Sequence, residues 1–201
     1  MAANSPFYAL LRRAHHLQRW SLMRGARSES VAAHSYDVAV LAHALALLSN
    51  TRFGGVNGVP VSVEQVVLLA LYHDASEIFT GDMPTPVKYR NPLLRDAYRQ
   101  LEQEAEQRLL DTLPANLRRD YEPLIISAST ESPEQRLVHA ADKLAALTKC
   151  AEELADGNHE FAAAYAATLK AVHALELPAA EAFIEEMLPA FSMPLDAQAQ
   201  E

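Results

Sequence analysis

The stretch LLALYHDASEIFTGD, residues 68–82, decides the fold and the chemistry that we predict. It places adjacent His73 and Asp74 inside an apolar segment, where two ionisable groups are costly to bury without partners. If one helix runs through the stretch, Glu77 projects between the directions of His73 and Asp74. Like charges held that close raise each other's pKa unless a cation lies between them. The stretch therefore predicts a divalent metal site on a helix.

Apolar residues recur at steps of three and four along nearly the whole chain, which indicates helices rather than strands. Two capping-box sequences, at residues 62–65 and 132–135, predict the starts of two helices. We expect these helices to end near Ile78 and Ala155, and the prolines of residues 80–92 exclude a regular helix there. Further helices are predicted from Phe7 and over 31–48, 93–113, 160–175 and 178–188. The predicted fold is all-α, a bundle of about seven or more helices that forms one domain over residues 1–201. The central part of this domain is expected to cover about residues 7–195.

Composition excludes several classes of protein. The chain has 201 residues, of which half are hydrophobic, and carries 17 basic and 26 acidic residues for a net charge of −9. Such a protein is a poor candidate for binding nucleic-acid polymers, which rely on clustered Lys and Arg. Cys150 is the only cysteine, which excludes an intrachain disulfide and is typical of a reducing compartment.

No segment predicts a membrane anchor or a secretory signal. The longest apolar stretches, near 38–48 and 66–72, fall short of the roughly 18 residues that span a bilayer. The N-terminal residues 1–16 place their basic residues after the apolar ones, the reverse of a secretory signal. We therefore expect a cytoplasmic protein without membrane partners.

Residues 1–29 are locally basic, with five arginines and one acid, Glu29. This region could receive one small anion, or it could be a solvated helix face.

Two further polar residues lie on apolar helical stripes. His34 lies four residues before Val38 in the 31–48 helix, and Asp142 lies mid-helix among alanines and leucines. With His73 and Asp74 they offer two imidazoles and two carboxylates, a set that suits a first-row divalent ion. Taken alone, His34 could instead bond a backbone carbonyl. Asp142 could pair with Lys143, Lys149 or Arg136, and His139 could compete as a ligand.

Four segments together resemble the bacterial 5′-deoxynucleotidases of the HD-domain phosphohydrolase superfamily. They are RWSLMR (19–24), ESVAAHS (29–35), HDASEIFTGDMPTPVKY (73–89) and ADKLAALTKCAEELADGN (141–158). The resemblance runs from about Phe7 to Leu195. It implies an all-helical HD-domain fold, a homodimer, and hydrolysis of deoxyribonucleoside 5′-monophosphates to deoxyribonucleoside and phosphate. One departure is Ala33, where relatives often place an acidic residue, so the outer shell of the metal site is expected to differ.

The resemblance also implies roles for individual residues. The metal ligands would be His34, His73, Asp74 and Asp142, holding one divalent ion such as Co, Mn or Zn. Glu77 and Asp82 would be catalytic. The nucleotide would contact Arg19, Trp20, Asp74, Asp82, Met83, Pro84 and Thr85.

Elementary chemistry is compatible with these roles. Glu77 could orient or deprotonate a water, and Arg19 could fork onto two phosphate oxygens as Lys cannot. Asp82 could accept a sugar hydroxyl or protonate the leaving oxygen. Trp20, the only tryptophan, could exclude a ribose 2′-hydroxyl, although a large aromatic residue is more often simply core.

Two other interpretations stay open. One is an HD-domain hydrolase of a different substrate: a ribonucleotide, a cyclic dinucleotide or a triphosphate. The other is a non-catalytic helical protein whose metal is structural or absent. Glu77 disfavours the non-catalytic interpretation, because a structural metal site is complete with four ligands and does not need an additional carboxylate beside them.

Overall fold

A computed structural model describes residues 4–88, 90–128 and 130–199, with only the backbone of Thr85 and Pro86. Within this described part the regular elements are all helices, and the two β-bridges, Gln18 with Ser30 and Val56 with Val59, are isolated. The all-α prediction is confirmed.

The α-helices are labelled α1 to α11 in chain order. They are α1 Phe7–Leu11, α2 Val31–Arg52, α3 Val63–Tyr72, α4 Glu77–Thr80, α5 Thr85–Lys88, α6 Pro92–Asp111, α7 Ala115–Ile125, α8 Pro133–Ala155, α9 Ala162–His173, α10 Pro178–Glu186 and α11 Leu195–Gln198. Short 3₁₀ helices cover Arg12–His16, His159–Phe161 and Leu188–Ser192.

The chain forms two compact units. The first unit comprises Met1–Leu22, Ser28–Tyr36 and Leu71–Glu131. Its core contains Phe7, Ala75, Leu109, Leu110, Leu113 and Ile125, contributed by α1, the turn between α3 and α4, α6, α7 and the link between α6 and α7. The ring of Tyr121 packs edge-on against Phe7 at a centroid distance of 5.2 Å.

The second unit comprises Met23–Arg27, Asp37–Ala70 and Ser132–Glu201. Helix α8 is its most buried element, and Leu144, Leu147 and Cys150 on α8 are fully buried. Helices α9 and α10 pack against α8 and contribute the buried Val172 and Phe183. Because these side chains are apolar and enclosed, their removal from water stabilises this unit.

The capping box at the start of α8 is confirmed. The hydroxyl of Ser132 accepts from the backbone N–H of Gln135 over 3.2 Å, and the Gln135 side chain accepts from the Ser132 N–H over 2.8 Å. The box at α3 is half formed. The hydroxyl of Ser62 accepts from Gln65 N over 3.2 Å, but the Ser62 N–H donates to Glu134 Oε1 over 3.4 Å.

The predicted continuous helix from residue 62 to Ile78 is wrong. Helix α3 ends at Tyr72, and α4 begins at Glu77 after a turn with 3.0 Å bonds from Ala75 N to Tyr72 O and from Glu77 N to Asp74 O. These bonds span three residues rather than four, so the chain is wound more tightly than an α-helix. The tighter turn carries Ala75 into the first unit's core. His73 and Glu77 therefore do not share one helix.

Helix α7 was missed, because Pro114 precedes it and Pro123 lies inside it. Proline removes a backbone donor and usually ends a helix, so the local sequence pattern argues against the helix that forms there. Among the described residues between α4 and α6, the single turn of α5 is the only helix, so the prediction of no longer regular helix there is confirmed for them.

Helix α2 contains a longer apolar stretch than the sequence analysis predicted. It has 22 residues, and an 18-residue window within it reaches a mean hydropathy of 1.5, enough for a membrane span by length and composition. Half of that window is buried inside the protein, and a single helix of this kind is weak evidence for a membrane span.

Candidate active site

Three predicted metal ligands converge in the first unit. His34, on the first turn of α2, is fully buried, while His73 and Asp74 lie on the half-buried turn after α3. Asp74 Oδ2 lies 3.1 Å from His73 Nε2 and 3.7 Å from His34 Nε2. One ligand atom from each residue lies within 4.8 Å of the other two. Chain segments about 40 residues apart in sequence thus present two imidazoles and a carboxylate to one point.

Glu77 opens α4 directly after this turn. Burial, together with the charges of Asp74 and Asp82, raises the pKa of Glu77 to about 9. Its Oε2 is buried and accepts no hydrogen bond from the residues that the structure describes. Although Glu77 and His73 do not share a helix, Glu77 still lies beside the three converging predicted ligands.

The side chain of Arg19 lies among carboxylates. Its Nη1 donates to Asp74 Oδ2 over 3.3 Å and lies 3.8 Å from Asp82 Oδ1, while its Nε lies 3.2 Å from Glu29 Oε1. The guanidinium is mostly buried, so its charge is felt strongly by these groups. Arg19 thus places a fixed positive charge next to a predicted metal ligand.

Glu29 is a residue of the candidate site that sequence reasoning missed. Its Oε1 lies 3.1 Å from His34 Nδ1, and its Oε2 accepts from the indole N–H of Trp20 over 3.1 Å. Burial alone would raise the pKa of Glu29, but His34, Arg19 and Trp20 hold it below its usual value. Its position as the only acid in residues 1–29, five residues before His34, was the signal available in the sequence.

The backbone near Trp20 is constrained. Residues 18 and 30 form an antiparallel bridge, and the Arg19 N–H donates to the Glu29 carbonyl over 2.9 Å. Trp20 itself has φ +57°, a left-handed conformation that is rare for a bulky residue and marks functional or strained positions. Trp20 is half-buried, and its role at the sugar stays a prediction.

Ala33 does not disturb this outer shell. Its side chain is exposed, and its N–H donates to the Ser30 hydroxyl over 3.2 Å. A carboxylate reaches the first metal histidine from Glu29 instead. The expected difference at position 33 therefore lies outside the contacts of His34 described above.

The loop after α4 begins at Gly81, whose φ of +74° favours glycine. The buried Tyr98 on α6 donates its hydroxyl proton to the Gly81 carbonyl over 3.0 Å and so fixes the turn. Asp82 follows, and burial raises its pKa against the opposing charge of Arg19. Met83 and Pro84 are half-buried in this loop, while Thr85 opens α5 and its side chain lies outside the described part.

Asp142 lies on α8, in the second unit, and its side chain is half-buried. Two of the cations considered as its partners have other contacts. Lys149 pairs with Glu153 over 2.5 Å, and Arg136 donates to the Leu175 carbonyl over 3.4 Å. The assignment of Asp142 as the fourth metal ligand stays a prediction.

The residues of the first unit fit a divalent cation. Two imidazoles and one carboxylate converge, a donor set that first-row metals accept. The pKa of Glu77 is raised first by burial and then by the negative charges of Asp74 and Asp82, which a bound cation would offset. The carboxylate of Glu29 behind His34 Nδ1 is the outer-shell arrangement that orients histidine ligands.

Comparison with known proteins decides the family. The family model for 5′-deoxynucleotidases of the YfbR-like type matches residues 6–191. The chain belongs to this family. A 5′-deoxynucleotidase of Vibrio vulnificus is 44% identical over 192 residues, covering 96% of this chain and 97% of that protein. One from Photorhabdus laumondii is 44% identical over 195 residues, covering 96% and 95%.

Solved structures agree on the fold of this YfbR-like chain. An HD-domain phosphohydrolase from Listeria innocua superposes with a TM-score of 0.79 at 25% identity, covering 92% of this chain and 87% of that one. The PH0347 protein of Pyrococcus horikoshii superposes with a TM-score of 0.66 at 22% identity and supports the fold alone. The HD-domain prediction is confirmed.

Proposed function

We propose that this chain hydrolyses deoxyribonucleoside 5′-monophosphates to deoxyribonucleoside and phosphate, using the site built around His34, His73 and Asp74. The observation that carries the proposal is the contact of Arg19 with Asp74, 3.3 Å, beside Glu77. The closeness of Arg19, Asp74 and Glu77 supports a site in which a phosphate-binding cation, a metal ligand and a base act together. The family of 5′-deoxynucleotidases to which the chain belongs supports the same reaction.

His34, His73, Asp74 and Asp142 hold one divalent ion, with Co, Mn and Zn the first candidates because of the mixed imidazole and carboxylate donors. When bound, such an ion polarises a phosphoryl oxygen and lowers the pKa of a nearby water.

Glu77 is the general base. Its carboxylate is buried beside Asp74 and, near neutral pH, needs a neighbouring positive charge to lose its proton. In the deprotonated form it takes a proton from the attacking water, whose oxygen forms the new bond to phosphorus. Positioned general bases contribute about 10²–10⁴-fold to rate.

Arg19 binds the phosphate. Its guanidinium can donate two parallel bonds to phosphate oxygens, and its Nε contact with Glu29 fixes the direction of the fork. The same cation balances charge that develops on the phosphoryl group during hydrolysis.

Asp82 donates a proton to the 5′-oxygen as the bond from that oxygen to phosphorus breaks. Burial raises the pKa of Asp82, which favours the protonated form that a donor needs. Met83 and Pro84, in the same loop, line the nucleoside side of the site, and the contact of Thr85, the first residue of α5, with the nucleotide stays a prediction. Trp20, held by Glu29, forms the wall that excludes a ribose 2′-hydroxyl.

The chain acts as a homodimer in the cytoplasm, without a membrane or a nucleic-acid partner. Tyr36, Val40 and Leu47 lie within about 40° of one another on α2, and all three side chains are exposed. An exposed apolar stripe of this kind suits contact with a second copy of the chain. Size-exclusion chromatography with light scattering tests the oligomeric state.

The chain is also proposed to form one domain over residues 1–201. Each of the two compact units draws on three separate segments, so the chain passes from one unit to the other several times. Domain boundaries normally lie in linkers that few contacts cross. A single cooperative unfolding transition is expected.

A panel of nucleotides tests the function. Phosphate release is measured with dAMP, AMP, dATP and a cyclic dinucleotide under one metal condition. The proposal expects dAMP to be the best substrate. Preferred cleavage of AMP, dATP or the cyclic dinucleotide would favour the alternative HD-domain hydrolase, and no turnover of any of them would favour a non-catalytic protein.

A further inference from the structure

The carboxylate of Glu29 contacts three residues that have different roles in the proposed function. Its Oε1 lies 3.1 Å from Nδ1 of the metal ligand His34 and 3.2 Å from Nε of the phosphate-binding Arg19. Its Oε2 accepts from the indole N–H of Trp20, the proposed sugar wall. One carboxylate therefore contacts a residue from each part of the site.

The contact with His34 decides which imidazole nitrogen faces the site. A carboxylate beside Nδ1 favours the tautomer that carries its proton there, so the lone pair stays on Nε2. That Nε2 is the atom nearer Asp74, at 3.7 Å from Oδ2. Glu29 thus presents His34 to a cation through the correct nitrogen and fixes the ring's orientation.

The contact with Trp20 holds an unfavourable backbone conformation in place. Trp20 has φ +57°, which costs free energy for a bulky residue. The indole bond to Oε2 and the bond from Arg19 N to the Glu29 carbonyl, 2.9 Å, both end on the same residue. Side chain and backbone of Glu29 together fix where the indole lies.

We propose that Glu29 is a positioning residue. It holds the metal ligand His34 and the substrate residues Arg19 and Trp20 in fixed positions relative to one another. The proposal rests on the proposed function for the roles of these three residues. On this proposal Glu29 acts through these three side chains and not on the reacting atoms. Loss of its charge is expected to weaken metal binding and to loosen Trp20 in the same variant.

Glu29→Gln tests this, because it keeps the size of the side chain and removes its charge. Glu106→Gln is the matched control, since Glu106 is a buried glutamate whose carboxylate accepts two bonds, both from Ser127. Zn²⁺ affinity of chelator-treated protein is measured by calorimetry. Acrylamide quenching of the emission of Trp20, the only tryptophan, measures how firmly the indole is held.

Glu29→Gln is expected to lower Zn²⁺ affinity by about 10–100-fold and to increase quenching, while Glu106→Gln changes neither. If either quantity stays at its wild-type value in Glu29→Gln, or if Glu106→Gln changes both as much, the proposal is overturned. Should circular dichroism show Glu29→Gln unfolded, Glu29→Asp replaces it. Its carboxylate is set back by one methylene, and the same two changes are required. Neither readout uses a nucleotide, so they judge Glu29 even if the wild-type protein releases no phosphate from dAMP.

Discussion

Arg19 donates from Nη1 to Oδ2 of Asp74 over 3.3 Å, so the proposed phosphate-binding cation touches a proposed metal ligand directly. This contact compensates part of the negative charge that Asp74, Glu77 and Asp82 bring together. It also means that removing the Asp74 carboxylate acts on both halves of the site.

Asp74→Asn and Asp142→Asn are each expected to lower bound metal and activity together. The reason is that an amide supplies a weaker, uncharged donor where a carboxylate is needed. Metal content by elemental analysis and phosphate release from dAMP are measured on the same samples. The control is Asp96→Asn, an exposed aspartate on α6 paired with Arg95. If Asp74→Asn and Asp142→Asn both retain stoichiometric metal, the ligand set is wrong.

Glu77→Ala is expected to keep metal and nucleotide binding but to lose turnover by roughly 10²-fold or more, because only the base is removed. Metal content, dAMP binding by calorimetry and kcat are compared with wild type. Loss of metal in this variant would make Glu77 a ligand and contradict its role as base.

The pKa of Glu77 also predicts a pH-dependent stability in metal-free protein. Its folded-state pKa is about 9 against an ordinary 4.5, so between these values the folded state holds a proton that the unfolded state has lost. The free energy of unfolding should therefore fall as pH rises from about 4.5 to about 9. Glu77→Gln removes this contribution.

Urea unfolding of chelator-treated protein checks this expectation between pH 5 and pH 8. Glu77→Gln should be more stable than wild type at pH 8, and the difference should shrink towards pH 5. Glu104→Gln, at an exposed position on α6, serves as the control. An equal difference at both pH values would show that burial and neighbouring charges do not act on Glu77 as described.

Trp20→Ala is expected to raise kcat/KM for AMP relative to dAMP, because a rigid wall excludes the 2′-hydroxyl by overlap. A merely apolar pocket would reject an added hydroxyl by only about 10²-fold. The two rate constants are measured on folded variant and wild type. Equal losses on AMP and dAMP would show that Trp20 supports the structure and that selectivity arises elsewhere.

Most of the fold could be predicted from the sequence because the patterns that indicate helices are local. Periodic apolar residues and the Ser132 capping box predict α8 closely, and the observed helix covers Pro133–Ala155. Pro123 inside α7 hid that helix, since proline normally argues against one. The turn at residues 73–76 was also missed, because the apolar spacing around it is that of a helix and only packing of Ala75 in the core shows the break.

The candidate site was predictable only in part, for a related reason. His34, His73 and Asp74 stood out as polar residues in apolar segments, and the structure brings them together. Glu29 carried no such contrast, because it lies in a polar, arginine-rich stretch. Its contacts depend on the bridge between residues 18 and 30, a long-range pairing that no local pattern indicates.

Metal-dependent hydrolysis is tested most directly by phosphate release from dAMP by the wild-type protein before chelation, after chelation, and after Mn²⁺ or Co²⁺ is returned. Release is expected to stop when elemental analysis shows the metal removed and to recover when the metal is restored. Release that continues at the same rate without bound metal, or no release under any of the three conditions, would contradict metal-dependent hydrolysis.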